Sequence, residues 1–146
     1  MKHTTSLIDT NVIITFITQR DDPYKDECYE VIKLCSDNLF DGYIAFHSLS
    51  IIWYVIRKLK SDEEARFWLK NICEILTVTG ASHEQVIQAI NNSSFHDFED
   101  CLQDECASFA NVDYIVTCNT KDYTQAKNKV VTPDEFISII NKEGVL

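Results

Sequence analysis

Carboxylates and amides gather in three short segments of this chain: Asp9-Thr10-Asn11, Asp97-Phe98-Glu99-Asp100 and Thr117-Cys118-Asn119-Thr120-Lys121-Asp122. Each follows an apolar run or opens a helical one. Acids that meet at the ends of strands repel one another and cost stability unless a cation lies between them. The pattern therefore points to a divalent-metal site, and the chemistry that suits such a site is phosphodiester hydrolysis.

Each residue has a plainer role to weigh. Asp9 directly follows the apolar run Ser6–Ile8. In an open α/β sheet, ligands bind at the carboxyl ends of strands, where the strand order reverses. Asp is also a good helix N-cap, but Asn119 and Asp122 recur in the equivalent place after a second strand, which favours the metal. Asn11 either orients Asp9 or fills a first helical turn. Asp97, Asp100 and Asp104 fall at i, i+3 and i+7 and share a helical face. Asp97 is the expected N-cap, with Asp100 placed to reach back as in a capping box. Cys101 and Leu102 turn inward and set Asp100 near the sheet edge, so it is a candidate ligand. Glu99 lies on another face and is expected in solvent. Asp104 either flanks the metal or faces water. After the strand Tyr114–Thr117, Asn119 offers an amide oxygen, Asp122 a carboxylate and Thr117 a hydroxyl; a plain turn uses the same residue types.

The elements that must hold these groups are short. Strand-like apolar runs cover Ser6–Ile8, Gly42–Ala45, Ile75–Thr79, Tyr114–Thr117 and Val130–Val131. They are continuous rather than alternating, as strands buried on both faces are. Helical patterns separate them, over about 11–18, 23–39, 48–59, 62–73, 83–91, 98–109 and 133–141. Strands alternating with helices predict βαβ crossovers and a parallel sheet of about five strands, flanked by helices on both faces. Asp22-Pro23 predicts an N-cap and a first helical position. Ser61–Glu64, Ser82–Gln85 and Thr132–Glu135 fit the capping box.

The chain has 146 residues, the size of one domain, 1–146. Its net charge of −10 argues against broad nonspecific binding to nucleic acid. Bound metal would offset part of that charge, and Arg57, Lys58 and Lys60, with Lys121, Lys127 and Lys129, form two local basic groups whose plain reading is solvated surface. None of the six cysteines forms a CxxC pair, so free thiols in a reducing cytoplasm are expected. The N-terminus runs straight into a strand-like segment, no secretory leader is expected, and no apolar stretch approaches membrane-spanning length. With three glycines at 42, 80 and 144, no P-loop or GxGxxG is possible. His47 and His96 are expected at the surface, as is usual for histidines without ligand spacing. Trp53, Tyr54 and Trp68 fall at helical spacing with Ile52, Ile56 and Leu69, which suits a core or a dimer surface.

Four segments, in order and spacing, resemble PIN-domain proteins, the fold of the ribonuclease toxins of VapBC-type toxin–antitoxin pairs. LIDTNVII resembles the opening strand with its metal-binding Asp, here Asp9. SLSIIWYVIRK resembles the helix after the second strand. DFEDCLQDECA resembles the helix carrying the third acid, here Asp100. DYIVTCNTKDY resembles the fourth strand and the ending that follows it, here Thr117, Asn119, Asp122 and Tyr123. The resemblance implies a three-layer α/β fold and an endoribonuclease site holding Mg²⁺ or Mn²⁺. Its metal ligands would be Asp9, Asp100, Asn119 and Asp122, with Asp9, Asp100 and Asp122 catalytic and Asn11, Thr117, Asp97 and Asp104 in support. It further implies RNA as substrate, an antitoxin protein as partner and a homodimer in the cytoplasm, with no membrane.

Two departures stand out. The family's usual Glu near the start of the third helix falls on Ile51, which can ligate nothing, and the last acid of the quartet is Asn119, which carries no charge. The same residues therefore also suit a degenerate domain that binds RNA or a protein without cutting. A phosphoacceptor module of flavodoxin-like architecture would need an Asp after the third strand, and Thr79-Gly80-Ala81-Ser82 has none.

Overall fold

The computed structural model describes residues 3–145. Five strands, β1 (Thr5–Ile8), β2 (Asp41–Ala45), β3 (Thr77–Thr79), β4 (Tyr114–Val116) and β5 (Val130–Val131), form a parallel sheet in the order β3-β2-β1-β4-β5. Seven helices flank it: α1 (Thr10–Thr18), α2 (Lys25–Ser36), α3 (Phe46–Leu59), α4 (Asp62–Ile75), α5 (His83–Asn91), α6 (Phe98–Ala110) and α7 (Pro133–Val145). This is the expected three-layer α/β arrangement. The order builds outward from β1 on one side, then returns to its other side at β4. The crevice where the order reverses therefore opens at the carboxyl ends of β1 and β4.

Side-chain alternation along the strands sends neighbouring residues to opposite faces. Leu7 and Ile115, paired across β1 and β4, pack with Cys101, Cys106 and Ala107 of α6. Ile8 and Val116, the next pair, pack on the other face with residues of α1, α2, α3, α4 and α7. The strands are buried on both sides, which is why they read as unbroken apolar runs. One position further on, Asp9 and Thr117 fall into step with Leu7 and Ile115, toward α6.

The helix ends explain most boundary errors. Asp22 does not cap a helix at Pro23. Its carboxylate accepts the Tyr24 N–H at 2.8 Å and its carbonyl accepts the Lys25 N–H at 3.0 Å, so α2 starts at Lys25. It also stops early, because Asn38 takes a left-handed φ of 62° and Leu39 N–H returns to the Leu34 carbonyl. Helix α4 runs to Ile75, which leaves β3 only Thr77–Thr79. The capping boxes at Ser82–Gln85 and Thr132–Glu135 have both halves, whereas at Ser61–Glu64 only the serine side is made. Gly42 in β2 is required by close approach: a Cβ there would lie 2.5 Å from Leu76 Cδ2 and 2.7 Å from Cys35 Sγ. All six cysteines are free thiols. Among the described residues, no helix is long and apolar enough to cross a membrane.

Candidate metal centre

Asp9 is 2% exposed and links strand to helix. Its Oδ1 accepts the Thr10 N–H at 2.7 Å, so it caps α1 while facing the crevice. Its Oδ2 accepts three more hydrogen bonds: from the Thr117 hydroxyl at 2.8 Å, the Tyr123 hydroxyl at 2.9 Å and Asn11 Nδ2 at 3.2 Å. The two roles weighed for Asp9 are thus compatible. Asn11 does more than fill a helical turn: its Oδ1 also accepts the Cys118 N–H, tying the start of α1 to the segment after β4. The Thr117 oxygen in turn accepts from Asn11 Nδ2 and the Asn119 N–H.

Helix α6 brings the other acids. Asp97 is its N-cap, accepting the Asp100 N–H at 3.2 Å. Asp100 does not complete a capping box; its Oδ1 accepts from the Tyr123 hydroxyl at 3.2 Å. Tyr123 closes a short 3₁₀ turn, Thr120–Tyr123, and its ring is buried against Phe95. That turn places one hydroxyl between Asp9 and Asp100.

Glu99 is not in solvent. One oxygen each of Asp9, Glu99 and Asp100 lie within 4.8 Å of one another. The Glu99 Oε2 is 2.8 Å from His47 Nε2 and 2.9 Å from Gln103 Nε2. His47 is therefore not a free surface histidine either: an ionised Glu99 needs the ring proton on Nε2. Gln103, one turn along α6 and fully buried, also donates toward Ser48 and Thr10.

Burial and neighbouring charge oppose the ionisation of the two aspartates. Burial, then the charge of Glu99, raises the Asp9 pKa to about 6 against the pull of its hydrogen bonds. Burial, then Asp9, Glu99 and Asp97, raises Asp100 to about 7. Burial and the two aspartates also push the Tyr123 hydroxyl up, so it stays a donor. Hard oxygens that hold a proton this tightly are a donor set suited to a hard divalent cation.

Asn119 and Asp122 bond to each other: the Asn119 amide donates to Asp122, and Asp122 is outside the group of three. Asp104 takes neither expected place. It is 2% exposed, and its carboxylate accepts the Lys127 and Asn128 N–H groups and Asn128 Nδ2. It anchors the loop before β5. Asp104→Asn should therefore leave Mn²⁺ affinity unchanged and lower stability by about 1–3 kcal/mol, since an amide matches fewer donors; urea unfolding beside a Mn²⁺ titration reads both. Of the basic groups, Lys127 pairs with buried Glu105 at 2.9 Å, Lys129 lies over Tyr114, and Arg57 and Lys58 lie over Trp53 and Tyr54. Sequence reading placed Glu99 in solvent and His47 at the surface, named Tyr123 only as the end of a motif, and missed Gln103. Its available signal was the i, i+4 pair Glu99–Gln103, which shares a face.

A family model of the PIN domain matches residues 5–121. No curated protein matches the chain in sequence. Among solved structures, VapBC2 from Rickettsia felis, bound to a DNA fragment from its promoter, superposes with a TM-score of 0.67 at 18% identity, covering 88% of this chain and 98% of that one. VapBC from Salmonella typhimurium, also DNA-bound, gives 0.67 at 14% identity over 89% and 98%. VapC20 from Mycobacterium tuberculosis, a sarcin–ricin loop cleaving toxin, gives 0.58 at 12% identity over 75% and 86%.

Proposed function

Since the chain belongs to the PIN-domain family, we propose that it is an endoribonuclease dependent on Mg²⁺ or Mn²⁺, and the toxin of a toxin–antitoxin pair. The observation that carries this reading is the meeting of Asp9 and Asp100 with Glu99 at the point where the sheet reverses its order. RNA is the proposed substrate class because VapC20, of similar fold, cleaves the sarcin–ricin loop. An antitoxin partner is proposed because similar folds occur in VapBC complexes. A second copy of the chain and action in the cytoplasm belong to the same reading; Tyr54, Leu59 and Phe67, exposed on α3 and α4, support the former.

In this mechanism Asp9 and Asp100 would hold the cation, and Asp122 and Asn119 would reach it directly or through water. Bound there, the metal would supply a water of lowered pKa and offset charge on the scissile phosphate. The chain's own work is orientation and proton control. Thr117, Asn11 and Tyr123 fix the Asp9 oxygens, and Thr10 N–H holds the other side of the carboxylate. Protons would compete with the cation for Asp9 and Asp100 as pH falls toward their raised pKa values.

The second reading, a degenerate domain that binds RNA or a protein without cleavage, is favoured by two observations. Ile51 packs against the core rather than offering an acid, and the Asn119 amide is committed to Asp122. Purified protein with a structured and a single-stranded RNA, in Mg²⁺, Mn²⁺ or EDTA, separates the two. The nuclease cleaves with either metal, stops in EDTA and loses activity in Asp100→Asn. No cleavage together with no metal binding leaves the second reading.

A further inference from the structure

We propose that Glu99 is the third carboxylate ligand of this metal site, supplied by α6 in place of the acid that α3 lacks, and that His47 of α3 is its positioning residue. The inference rests on the metal-site reading above and says which side chains complete it.

Helix α3 carries no acid toward the crevice, but it is not silent there. Its first turn presents His47 and Ser48, and both join one network with Glu99. His47 and Gln103 grip the same carboxylate oxygen, Oε2. The other oxygen of Glu99 accepts from no protein group among the described residues. One oxygen fixed and one open is the arrangement that orients a ligating carboxylate. The side chain is half-buried, 34% exposed, and stays beside two aspartates instead of turning outward.

Gln103 gives an independent sign. It is wholly buried, and its amide nitrogen is aimed at Glu99 while its Oε1 has no partner. The flipped amide would let Oε1 accept from the Thr10 and Ser48 hydroxyls, but would turn a carbonyl toward the Glu99 carboxylate. The interior thus tolerates an orphaned acceptor, ordinarily rare, in the orientation that holds Glu99 beside Asp9 and Asp100. Thr10 starts α1, Ser48 lies in α3 and Gln103 in α6, so three helices share the clamp.

The test is Mn²⁺ affinity, read from the electron paramagnetic resonance of free Mn²⁺. Glu99→Gln should weaken binding by more than about tenfold, as should Glu99→Asp, which keeps the charge but withdraws the oxygen by one methylene. His47→Ala should weaken it roughly tenfold, and His47→Gln, whose amide can donate to Oε2, should restore part of the loss. A purely structural role would instead lower the unfolding midpoint in EDTA and leave affinity alone. If Glu99→Gln and Glu99→Asp both bind Mn²⁺ like the wild type while Asp9→Asn does not, Glu99 is no ligand and the metal site stands without it. If the wild type binds no Mn²⁺, the metal-site reading fails and this inference with it.

Discussion

Asp9→Asn is expected to abolish divalent-ion binding and to reduce RNA cleavage by more than about a hundredfold, beyond the ten- to hundredfold cost of removing a group one step from a metal. Both carboxylate oxygens already have structural work. Oδ1 caps α1 through Thr10 N–H, and Oδ2 receives Thr117, Tyr123 and Asn11. An amide has one oxygen. If it serves the three donors, its NH₂ faces the Thr10 N–H, and the cap is lost at about 1 kcal/mol. If it serves the cap, the NH₂ faces the three donors and the Thr117 and Tyr123 hydroxyls must turn away. Against that stands relief from burying a charge, so the net change in stability is small and the variant folds. What cannot be recovered is the negative charge that a cation needs at the carboxyl end of β1. Isothermal titration with Mn²⁺ and cleavage of labelled RNA measure the two losses separately. A variant that still cuts RNA as fast as the wild type would remove Asp9 from the chemistry altogether.

The parts of this site legible in the sequence are those set by one element at a time. Asp9 and Thr117 are one residue beyond buried strands, and strand parity alone carries both to the α6 side of the crevice. Asp97 as N-cap is equally local. The missed parts depend on how helices meet. Glu99 looks solvated when α6 is considered alone, because its face becomes interior only where α3 brings His47 against it. Asp104 shares a helical face with Asp97 and Asp100, but the loop at 127–128, which no periodicity signals, folds over that turn and takes both its oxygens. Tyr123 was visible only as the end of a matching motif. Its role comes from the 3₁₀ turn that swings its hydroxyl between two carboxylates, and a four-residue turn leaves little pattern to read. The helix boundaries went wrong for a related reason: the left-handed Asn38 and the turn at Asp22 are single-residue backbone choices that a hydrophobic period does not register.

Without metal, the protein should lose stability as pH rises from about 4 to about 7, and millimolar Mn²⁺ should restore it at neutral pH. Asp9 titrates near 6 and Asp100 near 7 in the folded state, against 3.8 for an unperturbed Asp. The folded chain therefore holds more protons than the unfolded chain across that window. Stability falls wherever the folded state binds the extra protons and pH rises. The contribution is fully present below the unfolded value and is gone above the folded one. For buried Asp9 the loss is about 3 kcal/mol; Asp100 is partly exposed, and solvent screening holds its share to about 1 kcal/mol. Asp100→Asn isolates the effect from the other carboxylates. In EDTA at pH 7.5 it should be about 1 kcal/mol more stable than the wild type, and at pH 4.5 the two should coincide. Mn²⁺ reverses the order. A cation at a hundred times its Kd adds about 2.7 kcal/mol, which for a chain of this size raises Tm by roughly 5–10 °C, and Asp100→Asn should gain little of it. Thermal unfolding of both proteins at the two pH values, with and without Mn²⁺, gives every term. A wild type indifferent to Mn²⁺ at pH 7.5 would mean that these carboxylates hold no cation, and the domain would then be a binder with a nuclease fold.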